Sequence, residues 1–139
     1  MDKDKYIFSL EIAVRDYELD SEGIVNNAIY LHYLEHTRHV FCTKAGYSFE
    51  QMRADGFMPV VSKMEITYRT PLRSGDVMLS KLWVEARGVR FIFHQDIFNK
   101  KDDSIAVKAV VTIVAIENGK LGRGEKLFKA LSKYLNCDD

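Results

Sequence analysis

The stretch Val14-Arg-Asp-Tyr-Glu-Leu-Asp20-Ser-Glu-Gly23-Ile-Val-Asn-Asn27-Ala-Ile-Tyr30-Leu-His-Tyr33-Leu-Glu35-His-Thr-Arg38 is where the chain changes its period. Before it, Phe8, Leu10, Ile12 and Val14 alternate with Ser9, Glu11, Ala13 and Arg15, as in a strand with one buried face. Asp16 to Gly23 is polar and contains Gly, so it reads as a loop. From about Asn26 to Ala45, Ile29, Tyr30, Tyr33, Leu34, Thr37, Val40 and Phe41 fall on one side of a helical wheel. This predicts a long amphipathic helix, capped by Asn26 or Asn27 and stopped at Gly46.

Beyond that helix, Ser48-Phe-Glu-Gln51 resembles a capping box and opens a short helix that ends at Gly56. After Pro59 four β runs follow: Val60 to Arg69, Val77 to Ala86, Val89 to Asn99 and Ser104 to Glu117. Their short links, with Gly75, Arg87-Gly88 and the turn from Lys100 to Asp103, imply antiparallel neighbours. The last run is apolar on both faces and belongs inside the sheet with its second face covered. A closing helix is expected from about Gly124 to Leu135. One long helix against one largely antiparallel sheet is an α+β architecture. The helix covers only one face of the sheet, so an oligomer is expected.

The 139 residues suffice for a single domain spanning 1–139. Twenty basic residues balance 20 acidic ones, so no net field favours nucleic acid or an anionic membrane. The two cysteines, Cys42 and Cys137, sit in no CxxC and suggest reduced thiols rather than a disulfide framework. Met1 to Lys5 is charged and unlike a signal peptide, and no run approaches a membrane span. The expectation is a soluble cytoplasmic protein.

The chemistry points to the loop. A carboxylate at Asp20, three residues before Gly23 and just ahead of a helix, lies beside free backbone N–H groups and partial positive charge. Such N–H groups can hold a carbonyl oxygen as it gains negative charge, and the carboxylate can deprotonate water or attack directly. The same residue types also suit a loop aspartate that merely satisfies nearby N–H groups.

The segment resembles the 4-hydroxybenzoyl-CoA thioesterase branch of the hot-dog fold. Arg15, Glu18, Asp20, Gly23, Val25, Tyr30, Leu31, Tyr33, Glu35 and Arg38 fill that family's pattern, and Tyr68-Arg-Thr-Pro71-Leu-Arg-Ser-Gly75-Asp76 is similar to a second family block. The resemblance implies an antiparallel sheet wrapped around one long central helix. It also implies hydrolysis of an acyl-CoA thioester without cofactor or metal. Carried over position by position, the catalytic carboxylate falls on Asp20, with Gly23 shaping its turn. The polarising helix-start amide falls on Asn27 or its neighbour. Tyr30 and the strand residues Val60, Val61 and Ser62 would lie near the acyl group, and Arg87 and Arg90 near the phosphates of CoA. The family's sites lie between subunits, which implies a homodimer assembling further to a tetramer. Many relatives carry His where Asn27 stands; here Asp20 is left as the one obvious acid–base group of the loop.

Several residues invite a second reading. Glu35 and Arg38 are spaced for a helix ion pair, and Glu35 is the runner-up catalytic carboxylate. His32, His36, His39 and Cys42 form a polar stripe opposite the apolar face, better read as solvent- or subunit-facing than as a zinc site. Arg87, Arg90, Lys100 and Lys101 can equally be solvated turn charges. Trp83, Phe91 and Phe93 can line a pocket, although such aromatics more often belong to a core or interface. Two other functions fit the same motifs: an acyl-ACP thioesterase and a non-catalytic acyl-CoA-binding domain.

Overall fold

The computed structural model describes residues 5–135. Their elements run β1 (Phe8–Ala13), a 3-10 turn (Asp16–Glu18), α1 (Ile29–Lys44), α2 (Phe49–Ala54), β2 (Phe57–Tyr68), β3 (Val77–Arg87), β4 (Arg90–Asn99), β5 (Ile105–Glu117), β6 (Lys120–Leu121) and α3 (Glu125–Leu131). The strands form one antiparallel sheet in the order β1-β3-β4-β5-β2, with the short β6 on β5. The sheet curls around α1. Their shared core holds Tyr33, Leu34, Phe41, Met78, Leu82, Val84, Phe93, Ile97, Val107 and Val111, all buried.

The α+β expectation and the order of elements hold, and β5 lies inside the sheet between β4 and β2. On β5 the core-facing residues are buried, while Lys108, Val110, Thr112, Val114 and Ile116 stay partly exposed on the outer face. Strand β2 starts at Phe57, before Pro59, not after it. A proline lacks the N–H a central strand needs, but β2 is an edge strand with one neighbour and tolerates it. The β3–β4 turn is Gly88-Val89, with Arg87 opposite Arg90, so it falls one residue later than Arg87-Gly88. Gly88 takes a positive φ of 60° there, which glycine allows at no steric cost.

Helix α1 begins at Ile29, three residues after the expected start. Asn26 folds an Asx turn instead: its Oδ1 accepts from Ala28 N at 2.8 Å and its carbonyl from Ile29 N at 2.9 Å. Ser48 does cap α2, its Oγ accepting from Gln51 N at 3.1 Å. The reciprocal half of the box is absent, because Gln51 Nε2 donates to Asp55 instead.

The polar stripe expected on α1 does not form as such. His32 and His36 are exposed, but His39 is half-buried and Cys42 is buried. Burial pushes the Cys42 thiol up to about 12, so it stays protonated and inert. The Glu35–Arg38 ion pair is also replaced: Arg38 turns inward to Gln95, and Glu35 faces His39 at 4.0 Å. A wheel drawn through the apolar residues misses this, because a long guanidinium stem packs like an apolar chain. Cys137 lies outside the described residues.

Candidate active site

Asp20 sits in a tight reversal. Its N–H donates to Ile24 O at 2.8 Å, Gly23 N donates back to Asp20 O at 3.0 Å, and Leu19 bridges Val25. Gly23 closes the turn at φ +80°, a left-handed conformation that side chains with a Cβ resist. The Asp20 carboxylate accepts from Glu22 N at 2.8 Å and from Ile24 N at 3.4 Å, both on Oδ1. Among the described residues Oδ2 accepts from nothing. The loop-satisfying role is therefore real but uses one oxygen.

Two structures brace this loop. One is Glu18, 5% exposed, which accepts from Arg15 N at 2.8 Å, from Arg15 Nη1 at 2.9 Å and from Tyr33 Oη at 2.7 Å. Burial alone would raise its pKa; the bonds from Arg15 and Tyr33 outweigh this and hold it below the ordinary value. The other brace is the second sequence block. Leu72 N donates to Tyr30 Oη at 3.0 Å, Val25 N to Leu72 O at 2.9 Å and Val14 N to Asp76 O at 2.9 Å, and Ile24 bridges Arg73. The two motifs occur together because each supports the other.

Asp20, Asn27 and Tyr30 line one cavity of about 320 Å³ with Ile24, Val25, Tyr68, Arg69, Pro71 and Ala106. At the start of α1 the Ala28 and Ile29 amides are already taken by Asn26. The Asn27 N–H donates to no group among the described residues, while its carbonyl accepts from Tyr68 Oη at 3.0 Å. The cavity wall thus includes Asp20, with one carboxylate oxygen that accepts no hydrogen bond among the described residues, and Asn27 and Tyr30, whose backbone N–H groups donate to none. Tyr30 lines it but is 3% exposed, and its hydroxyl is already engaged by Leu72.

The remaining candidates are elsewhere in the chain. Tyr68, at the Asp20 end of β2, is seven residues from Val61, roughly 23 Å along a strand. Val60, Val61 and Ser62 lie at the other end, with Ser62 in a bulge of the β2–β5 ladder. Val60 pairs with Val114, Val114 with Arg90, and Arg90 with Arg87, so all the remaining candidates share the far end of the sheet. Arg87 is exposed and pairs with Glu85 at 2.9 Å. Lys100 and Lys101 pair with Glu11 and Asp76 as turn charges. Phe91 and Phe93 are core residues, each 2% exposed, and Trp83 stacks on His94 with centroids 3.8 Å apart. Sequence reasoning missed Tyr68 and Arg69 as wall residues, although both stand inside the quoted second block. Among the described residues no helix is long and apolar enough to cross a membrane.

An antiparallel sheet curled round one long helix, with a loop carboxylate and an open helix-start amide at one cavity, defines a protein of the hot-dog fold. The chain belongs to the thioesterase-like superfamily, whose family model matches residues 14–131. It is 34% identical over 110 residues to the chloroplastic acyl-acyl carrier protein thioesterase ATL2 of Arabidopsis thaliana, covering 78% of this chain and 58% of the relative. The chain therefore spans little more than half the length of that plant protein. It is 32% identical over 108 residues to the long-chain acyl-CoA thioesterase FadM of Escherichia coli, covering 77% of this chain and 81% of the relative. In fold it is similar to a DHNA-CoA thioesterase from Staphylococcus aureus, with a TM-score of 0.81 at 24% identity over 90% of this chain and 88% of that one.

Proposed function

We propose that the chain is a single-domain acyl-CoA thioesterase in which Asp20 acts as general base or nucleophile and the Asn27 amide polarises the thioester carbonyl. The observation that carries this reading is the shared cavity: it is lined both by Asp20, one of whose carboxylate oxygens accepts no hydrogen bond among the described residues, and by Asn27, whose N–H donates to none. In the base route Asp20 takes a proton from water as the water oxygen bonds to the carbonyl carbon; the C–S bond then breaks, the protonated Asp20 returns that proton to the leaving sulfur to give CoA thiol, and the carboxylic acid product loses its own proton to solvent. In the nucleophile route Oδ2 bonds to the carbonyl carbon, thiolate leaves, and water then cleaves the mixed anhydride. In both, negative charge on the carbonyl oxygen is met by the Asn27 N–H, a kind of contact worth about 2.7–4 kcal/mol.

The reading includes a homodimer. Val60 to Ser62 and Arg90 lie at the opposite end of the sheet from Asp20 in one chain, and β2 has a free edge. Two-fold antiparallel pairing of β2 edges would set the Tyr68 end of one chain against the partner subunit's Val60 end. The acyl group would then lie between subunits, with Arg69 of one chain and the partner's Arg87 and Arg90 available for the carrier's phosphates. Pairs of such dimers would give a tetramer. The plant relatives favour a second carrier, acyl-ACP, at the same site.

The test is Asp20→Asn, which preserves shape and removes the base. Release of thiol from acyl-CoAs is expected to fall at least hundredfold, with circular dichroism unchanged. Full activity in this variant would refute the proposal. Matched acyl-CoA and acyl-ACP substrates separate the two carriers.

A further inference from the structure

The chain is neutral overall, with 20 basic and 20 acidic residues, but its charge is not evenly spread. Between residues 120 and 135, Lys120, Arg123, Lys126, Lys129 and Lys133 face a single acid, Glu125. All six side chains are exposed. Lys126 reaches Asp55 at 3.6 Å. Among the described residues Lys120, Arg123, Lys129 and Lys133 form no ion pair. One lysine near the end of a helix is ordinary, since it offsets the partial negative charge there. Three on one face exceed that role. Lys126, Lys129 and Lys133 line an open groove of about 500 Å³ together with Ala45, Gly46 and Tyr47, just past the end of α1.

The fold fixes where this face stands. Gly124, at the start of α3, lies so close to the sheet that a Cβ there would come within 2.7 Å of the Phe91 ring. Its N–H donates to Glu117 Oε2 at 3.0 Å, and Glu117 pairs with Phe57 at the start of β2. Arg90 belongs to the same end of the sheet, opposite Val114 of β5. In the two-fold β2 pairing proposed above, this end would lie against the Tyr68 end of the partner subunit, beside the partner's Asp20 cavity.

We propose that the lysine face of α3 is the docking surface for an acidic acyl carrier protein, held there while its acyl group enters the cavity of the partner's Asp20. The inference rests on the acyl-ACP form of the thioesterase reading and on its dimer. Lysines act as point charges on flexible stems, which suits a carboxylate-rich protein face that is recognised by complementary charge. An anionic membrane is the poorer match. Leu127 and Leu131 are spent in the core, and Phe128 is the one large apolar side chain that α3 leaves exposed, so the helix has no apolar face to insert.

The test titrates the protein into fluorescently labelled apo acyl carrier protein, which has no acyl group to hydrolyse, and reads anisotropy at about 50 and about 300 mM salt. Saturable binding is expected at the lower salt, weakened at least tenfold at the higher. Lys129→Glu/Lys133→Glu, which leaves the Lys126–Asp55 pair in place, should weaken binding at least tenfold. Lys129→Arg/Lys133→Arg keeps the charge and should bind like the wild type. On acyl-ACP, the Glu variant should raise KM at least tenfold with little change in kcat. Asp20→Asn should bind the carrier like the wild type, so a failure of the catalytic reading leaves the binding result standing. No saturable binding by the wild type, binding or KM unchanged in the Glu variant, or tighter binding to phosphatidylglycerol vesicles than to the carrier would each overturn the proposal. The salt comparison needs no variant, so it decides even if a variant fails to fold.

Discussion

At the scale of single residues, Glu18 shows how a polar side chain can organise a site without entering it. It gathers Arg15 and Tyr33 onto one carboxylate and fixes the approach of the loop to α1. Hydrogen bonds to a charged group are worth about 1.5–3 kcal/mol, so Glu18→Gln should lower stability by about 1–3 kcal/mol near neutral pH in urea titrations. The pH dependence has a definite sign. The folded-state pKa of Glu18 is depressed, so its contribution is complete above the ordinary glutamate value of 4.5 and is lost as pH falls through the lower folded value. Melting temperatures measured from pH 6 down to pH 3 should therefore fall less steeply for Glu18→Gln than for the wild type. Equal slopes would show that Glu18 is not among the groups whose protonation drives acid unfolding.

Among elements, the start of α1 matters most, since its geometry decides which amide remains open. Asn26 occupies the Ala28 and Ile29 amides and leaves those of Asn27 and Tyr30 without an acceptor among the described residues. Asn26→Ala should cost about 1 kcal/mol of stability, a typical loss for a helix-start cap, read from the midpoint of chemical unfolding. With the Asn27 N–H meeting the oxyanion as proposed, it should also lower kcat more than it raises KM, because a loosened turn would misposition that N–H. The strands, the helices and their order were legible because the period of the apolar residues changes from two to near four at the quoted loop and back again after Pro59. The exact start of α1 was not, since either asparagine can cap and the choice depends on Glu18 O accepting from Asn26 N at 3.0 Å. Arg38 was misread for a similar reason: its place in the core depends on Gln95, 57 residues away, which no local pattern announces. Of the candidate residues, Asp20, Asn27 and Tyr30 line one cavity, with Gly23 in the turn that carries Asp20. Val60 to Ser62, Arg87 and Arg90 lie at the far end of the sheet, because a linear motif carries no information about how far apart the fold sets its residues.

For the molecule as a whole, the β2 side is the unfinished one. Leu31, Met58, Val61 and Tyr68 are exposed, at 40%, 59%, 43% and 44%, and all sit on β2 or on α1. Unpaired strand edges with apolar side chains rarely stay uncovered. Val61→Lys places a charge on that edge. It is expected to convert a dimer to a monomer in light scattering behind size exclusion and to remove thioesterase activity at the same protein concentration, with the circular dichroism spectrum kept. A monomer that retained full activity would mean that one chain makes the whole site.

The strand order also dictates a schedule. Strand β2 emerges early in synthesis, yet its ladder partner is β5: Tyr68 meets Val107 and Phe57 meets Glu117. Even the nearer partner follows roughly 40 residues later, a delay of about 2–8 s at ribosomal rates of about 5–20 residues per second. Through that interval twelve residues of extended, partly apolar chain have no neighbour to pair with. The nascent protein is thus most exposed to chaperones, and to copies of itself on neighbouring ribosomes, while β3 and β4 are still being made.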